Sequence, residues 1–248
     1  MNNYDQLAMH ELEVWKRNMQ RKPSITDRLS KSVQIRMNRL IPEKVHHTIT
    51  LAIKQMMRGV LTGAEFVNPK PKGEGTLQQL EEKVMERINF YSKTAAAEGA
   101  ITGAGGILLG LADFPIWLSI KIKMLFEITA LYGYDVSNFK ERIYILHIFQ
   151  LTFSSQQHRR EVYKIIEDWP NYSKYLPEDI HQFDWRNFQQ EYRDYIDLSK
   201  LLQLVPGIGA ITGAYVNHRL TNKLGVTAMN AYRMRINKSL AIDGKMLN

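Results

Sequence analysis

The chain has 248 residues, a formal net charge of +8 and no cysteine. This length allows one large domain or two small ones with a hydrophobic core, and the absence of cysteine excludes disulfides and thiolate metal sites. The mean hydropathy of −0.32 argues against a polytopic membrane protein. The N-terminus lacks the apolar segment of a secretory signal, so we expect a cytoplasmic protein.

Positive charge is concentrated at the two ends of the chain. Residues 1–73 carry thirteen Lys and Arg against six Asp and Glu, and residues 201–248 carry six against one. Basic ends on a nearly neutral body indicate a polyanionic partner, although solubility alone explains such charge equally well. Of the two polyanionic partners, nucleic acid and an anionic lipid surface, the charge favours the lipid surface. We expect no nucleic acid as partner, because the basic residues form no recognisable nucleic-acid-binding motif.

Apolar residues repeat at helical spacing from the N-terminus onwards. The stripes over 4–19, 25–40 and 45–67 predict a segment of basic amphipathic helices spanning residues 1–68. If the first two helices lie on a membrane, the contacting residues are Trp15, Arg17, Arg21, Lys22, Arg28 and Lys31. The alternative is that the apolar stripes pack on the body of the protein and the charges face water.

A linker over residues 68–75, with two prolines and two glycines, precedes the second part of the chain. Helical stripes then continue through residues 76–240, which we predict to form a helical core, followed by a tail over 241–248. No alternating strand pattern exceeds four residues. The sequence therefore predicts an all-α protein, a single helical domain of about eight to ten helices.

Local signals predict some of the helix ends in this core. Thr76 and Gln79 fit a capping box at the start of one helix. Gly133 is suited to ending another helix, and Ser137 to capping the next.

The hexapeptide Gly-Ala-Ile-Thr-Gly-Ala begins at residue 99 and recurs unchanged at residue 209. Each mid-helix glycine costs up to about 1 kcal/mol relative to alanine, so repeated glycines indicate a close approach of helix backbones. The glycines that fall on one face are Gly99 and Gly103 in the first copy, and Gly209 and Gly213 in the second. We predict that the two glycine-rich helices pack closely, with Gly103 and Gly213 near contact. Insertion into one leaflet is the less favoured alternative.

No motif for catalysis, a cofactor or a metal stands out. The glycines at 207, 209 and 213 fit a dinucleotide loop poorly, because no Asp or Glu between 198 and 242 could hold a ribose. We therefore predict no catalytic residue, no cofactor and no metal site. Three polar positions are candidates for function or structure: Asp113 beside the first glycine segment, Lys200, and Asn217 after the second glycine segment.

Several segments together resemble the EcsC family over nearly the whole chain, in addition to the upstream glycine segment. They are Asp184-Trp185-Arg186, Tyr192-Arg193-Asp194-Tyr195, Lys200-Leu201-Leu202, Val205-Pro206-Gly207-Ile208-Gly209-Ala210 with Asn217, Ala112-Asp113-Phe114-Pro115, Leu131-Tyr132-Gly133-Tyr134-Asp135 and Ala231-Tyr232-Arg233-Met234-Arg235.

The resemblance implies a bacterial, helical protein associated with an ABC transporter. The resemblance implies that the chain is similar to the third product of an operon in Gram-positive bacteria. The other two products of that operon are the ATPase and the membrane subunit of the transporter. The resemblance supplies no catalytic residues. We therefore expect a non-enzymatic accessory protein of an Ecs-type ABC exporter, peripheral on the cytoplasmic membrane face, with the transporter subunits as partners. The alternative is a lipid- or peptide-directed hydrolase with its site in an inter-helical pocket, using Asp113 or a histidine.

Overall fold

Helices account for nearly all of the regular structure. The computed structural model describes residues 3–21, 43–62, 69–73, 75–103, 114–154, 156–178, 180–195 and 210–246. Within these ranges lie nine α-helices and no strand. They are α1 (Asn3–Gln20), α2 (Glu43–Thr62), α3 (Leu77–Gly103), α4 (Phe114–Leu131), α5 (Phe139–Phe153), α6 (Gln156–Glu167), α7 (Trp169–Tyr172), α8 (Trp185–Tyr195) and α9 (Ala210–Met246). The prediction of a single all-α domain is confirmed.

Two apolar helices form the centre of the domain. On α5, every side chain from Glu141 to Phe153 is buried, and α4 is buried over most of its surface. A helix that is apolar on all sides must be surrounded by other elements. α2, α3 and α9 pack against α4, while α2, α6 and α9 pack against α5. None of the described helices combines the length and the apolarity needed to cross a bilayer.

The most extensive helix–helix contact joins α3 and α9. Glu81 on α3 pairs with Arg233 on α9, and Ile88 lies against Gly225, so the two helices run antiparallel. Residues 99–103 of the first hexapeptide lie at the end of α3 and residues 210–214 of the second at the start of α9, so both belong to the same end of this pair. The contact predicted between Gly103 and Gly213 falls where only the backbone is described, and it stays a prediction.

The predicted linker caps the C-terminus of α4. The backbone N–H of Lys72 donates to Ala130 O (2.7 Å) and that of Gly73 to Leu131 O (3.1 Å), which satisfies two carbonyls at the helix end. Gly133 follows with φ +86°, and a Cβ there would lie 3.2 Å from the Gly73 Cα. Gly133 therefore ends α4 as predicted, and it also lets the linker approach closely.

Of the two predicted helix N-caps, one is confirmed and the other is wrong. The Thr76 hydroxyl accepts from the Gln79 N–H (3.3 Å), and the Gln79 side chain accepts from the Thr76 N–H (3.1 Å), as in a capping box. The prediction that Ser137 caps α5 is wrong. Asn138 caps it by accepting from the Lys140 N–H (2.8 Å), because Ser137 is hydrogen-bonded back to Asp135.

Candidate functional site

A buried lysine lies at the junction of α3, α4 and α9. Lys121 on α4 has no solvent exposure, and its Nζ lies 3.1 Å from the centre of the Trp117 ring, one turn earlier. Trp117 donates its indole N–H to Oδ1 of buried Asn217 on α9. A second bond, between Thr129 and Tyr232, shows that α4 and α9 run parallel.

Because the two helices run parallel, Thr221 and Lys121 lie at a similar level along them. Thr221 lies one turn beyond Asn217 on α9, as Lys121 lies one turn beyond Trp117 on α4. Thr221 is fully buried, like Lys121. We call Trp117, Lys121, Asn217 and Thr221 the buried polar junction.

Burial lowers the pKa of Lys121 well below its usual value, and the negative charge of Glu98 on α3 offsets only part of this effect. Among the described residues, no hydrogen-bond acceptor reaches the Lys121 Nζ. A buried ammonium without an acceptor is costly, so the neutral amine is favoured more than it would be in an exposed lysine. A neutral lysine amine can act as a proton acceptor or a nucleophile.

Replacing Lys121 with methionine should stabilise the fold. Between the lowered folded-state pKa and the unfolded-state value near 10.5, the unfolded chain binds more protons, so the stability of the natural chain rises with pH. Lys121→Met removes this dependence. We expect a higher free energy of unfolding at pH 7 and a flatter dependence between pH 7 and 9.5, measured by urea titration. A loss of stability at pH 7 would contradict the neutral-amine interpretation.

A buried ion-pair network ties α1 and α3 to α9. Both oxygens of Glu81 accept from the guanidinium of Arg233, each at 2.6 Å, and both residues are buried. Glu81 also accepts from the hydroxyls of Tyr4 (2.7 Å) and Tyr132 (3.1 Å). Arg233 further donates to Glu11 at 2.8 Å. Burial opposes the charge of Arg233, but the bonds to Glu81 and Glu11 outweigh it and raise the pKa of Arg233.

Arg235, two residues after Arg233 on α9, lies among aromatic rings. Its guanidinium makes two hydrogen bonds to Glu141 on α5, at 2.6 and 2.8 Å. It also lies 3.8 Å from the Tyr134 ring centre and 4.6 Å from that of Tyr144. With its charge paired and its faces covered, this arginine is suited to holding helices together rather than to binding a ligand.

His147 is a second buried titratable group, with burial lowering its pKa to about 4. Its Nδ1 lies 3.0 Å from Gln150 Oε1, and its ring meets Trp169, Tyr172 and Phe188 edge-on. Nε2 finds no hydrogen-bond partner among the described residues. This environment favours a neutral core histidine.

We expect His147 to make the fold sensitive to acid. Because its folded-state pKa lies below the unfolded value of about 6.5, its contribution to stability is lost as the pH falls from 6.5 towards 4. Lowering the pH from 7 to 5 should cost the natural chain about 2 kcal/mol more than His147→Gln. The measurement is urea unfolding of both chains at the two pH values. Equal losses in both would contradict this assignment.

Of the predicted polar positions, Asn217 lies in the buried polar junction, whereas Asp113 and Lys200 fall outside the described residues. Gly99 is buried on α3, and Gly209 lies outside the described residues. No group of His, Asp and Glu side chains among the described residues is arranged to hold a metal ion.

Of the residues predicted to contact a membrane, one packs against the protein and two are exposed to solvent. The half-buried Trp15 ring lies 5.8 Å from the ring of Tyr163 on α6, while Arg17 and Arg21 are exposed. Lys22, Arg28 and Lys31 lie outside the described residues. The lipid contact stays a prediction, and Arg17 and Arg21 are the exposed charges available for it.

Sequence reasoning missed Lys121, although a signal was present. Lys121 is a charge within an apolar helix, and its neighbours one turn away, Trp117 and Leu125, are apolar. Lys123, in contrast, has Glu127 one turn ahead. The pairing of Glu81 with Arg233, 152 positions apart, left no such local signal.

Comparison with known proteins places these features in a family context. The model of the EcsC protein family matches residues 6–236. The chain is 44% identical to Protein EcsC of Bacillus subtilis (strain 168) over 238 residues, covering 96% of this chain and 98% of that protein. It is 26% identical to the uncharacterized protein YdbA of the same organism over 247 residues, covering 92% and 90% of the two chains. No solved structure matches significantly.

Proposed function

Since this chain belongs to the EcsC protein family, we propose that it is a non-enzymatic accessory protein of an Ecs-type ABC exporter, acting at the cytoplasmic face of the membrane. The observation that carries this proposal is the identity of 44% to Protein EcsC across nearly the full length of both chains. The match covers 96% of this chain and 98% of that protein, so the similarity is not limited to one segment. The transporter subunits are the proposed partners.

The interior of the protein is consistent with a structural accessory role. The charged side chains Glu81, Arg233 and Arg235 are all engaged in ion pairs that join helices. Such fully satisfied networks make a polar interior rigid and specify one arrangement of helices. A rigid helical body with exposed basic residues is suited to binding a partner surface.

A pull-down from native membranes tests the transporter association. The tagged chain is cross-linked in cells, purified and analysed by mass spectrometry, with an unrelated helical protein carrying the same tag as control. We expect an ABC ATPase and its membrane subunit to be enriched with this chain. Recovery of neither subunit above the control would refute the association.

We also expect peripheral binding to anionic lipid. Basic residues near an anionic surface contribute about 1 kcal/mol each, and salt screens this attraction over about 8 Å at physiological ionic strength. Co-sedimentation with vesicles should rise with their phosphatidylglycerol content and fall with added salt. Arg17→Gln with Arg21→Gln should weaken it, whereas Lys93→Gln with Lys123→Gln, which alters exposed lysines on α3 and α4, serves as the charge-matched control.

Absence of binding to strongly anionic vesicles at low salt would contradict direct lipid contact. Membrane association would then depend on binding to the transporter subunits alone.

A lipid- or peptide-directed hydrolase is the second candidate, and it is motivated by the lowered pKa of Lys121 on α4 and the buried hydroxyl of Thr221 on the neighbouring helix α9. A lysine base and a hydroxyl nucleophile suffice for acyl transfer in some hydrolases. Among the described residues, however, the Thr221 hydroxyl has no hydrogen-bond partner, so the dyad is not formed. Hydrolysis of p-nitrophenyl esters that Lys121→Met abolishes would favour this candidate over the accessory role.

A further inference from the structure

A cleft of about 310 Å³ lies between α2 and α8, away from the buried polar junction. Residues at helical spacing on one face of each helix line it: Thr50, Ile53, Lys54 and Met57 from α2, and Arg186, Gln189 and Gln190 from α8. Ile53 and Met57 are 3% and 1% exposed and form an apolar floor. Lys54, Arg186 and Gln190 are exposed at the rim.

The described part of the cleft carries only positive charge. Lys54 and Arg186 make no ion pair with any residue that the structure describes, and no described lining residue is acidic. Elsewhere in the described structure, buried Arg233 and half-buried Arg235 are paired with carboxylates. Two cations at the mouth of a concave site raise the local concentration of anions.

The remaining lining groups complement an anion that carries an apolar chain. The amides of Gln189 and Gln190 and the hydroxyl of Thr50 can donate hydrogen bonds to carboxylate or phosphate oxygens. The guanidinium of Arg186 can donate two parallel hydrogen bonds to such a group. The floor formed by Ile53 and Met57 offers apolar surface, and methionine adapts readily to irregular ligands.

We propose that this cleft binds a single-chain anionic amphiphile. Its carboxylate or phosphate group contacts Lys54 and Arg186, and its alkyl chain lies on Ile53 and Met57. The volume is at the lower end of the range for ligand pockets, about 300–1,000 Å³, which suits one short chain rather than a two-chain lipid. The amphiphile is either a free monomer from solution or a single-chain lipid drawn from a membrane.

Calorimetric titration of the full chain with octanoate and with octyl phosphate tests the proposal. Octyl glucoside, which has the same chain and no charge, is the ligand control. We expect both anions to bind in a saturable manner, and Lys54→Gln with Arg186→Gln to weaken binding at least tenfold. Lys93→Gln with Lys123→Gln removes the same charge outside the cleft and should leave the affinity unchanged.

A blocking variant tests the alkyl part of the proposed site. Gln190 is exposed on α8, so Gln190→Trp can fill the cleft without altering the core. This variant should abolish the binding of both anions, while circular dichroism confirms that the helices remain folded. Unchanged affinity in either cleft variant, equal binding of octyl glucoside, or no binding of either anion would overturn the proposal.

A vesicle arm distinguishes the two sources of the amphiphile. Phosphatidylcholine vesicles are prepared with and without lysophosphatidylglycerol. Extraction of the lysolipid that Gln190→Trp prevents would support a membrane source, whereas octanoate binding without extraction would support a free monomer. Because Gln190→Trp leaves α1 untouched, loss of this binding is separable from loss of transporter association or of charge-dependent vesicle binding.

Discussion

Replacing Arg233 with methionine is expected to lower the free energy of unfolding by about 3–5 kcal/mol, because it leaves the buried carboxylate of Glu81 without its counter-charge. Glu81 has no solvent exposure and accepts two hydrogen bonds of 2.6 Å from Arg233. Among the described residues, the hydroxyls of Tyr4 and Tyr132 would remain as its hydrogen-bond donors. The loss is measured by urea unfolding followed by circular dichroism.

Two further variants make this prediction specific to the buried pair. Arg233→Met combined with Glu81→Leu removes both charges, and it should recover much of the loss because no unpaired charge remains. Arg87→Met breaks a pair with Glu127 whose side chains are 48% and 35% exposed, so it should cost less than about 1 kcal/mol. Equal costs for Arg233→Met and Arg87→Met would contradict the role assigned to Glu81.

The second large effect is expected at Gly225, where α9 crosses α3. A Cβ at this position would lie 2.5 Å from Cγ1 and 3.0 Å from Cγ2 of Ile88. Because isoleucine is branched at Cβ and stiff at χ1, it cannot move aside without shifting the backbone. Gly225→Leu should therefore cost about 3 kcal/mol or more through overpacking. Thermal and urea unfolding would measure the loss.

A double-mutant cycle identifies Ile88 as the cause. Gly225→Ala and Ile88→Ala should each destabilise the fold, the first by overpacking and the second by leaving a cavity. Combined, they should cost clearly less than the sum of the two, since the new methyl group occupies space that Ile88 vacates. Additive costs would mean that the crossing can relax without help from Ile88.

Local features of this fold were predictable from the sequence, and long-range ones were not. The capping box at Thr76 and the helix end at Gly133 depend on neighbouring residues, and both were predicted. The tightest described glycine contact is that of Gly225 with Ile88, outside both hexapeptides. A glycine within a helix indicates that a neighbouring element lies close to the helix backbone. It does not indicate which distant side chain occupies the position of the missing Cβ.

The candidate sites depend even more on distant partners. Asn217 was singled out because of its small-residue surroundings, yet its partner Trp117 is 100 positions away. Lys121 gave a local signal, a charge on an apolar helix, but its lowered pKa results from the three helices that enclose it. The cleft between α2 and α8 required the packing of two helices more than 120 positions apart, which no periodicity predicts.

The pairing of α3 with α9 also sets the order of events during synthesis. The ribosome releases α3 long before α9, so Gly225 and Arg233, the partner of Glu81, become available only once α9 has been synthesised. Until then the apolar face of α3 is uncovered, and closing so long a loop is slow. A chain truncated before Arg233 would keep that face open and leave Glu81 uncompensated. Burial of the α3 face is thus coupled to the synthesis of α9, more than 100 residues later in the chain.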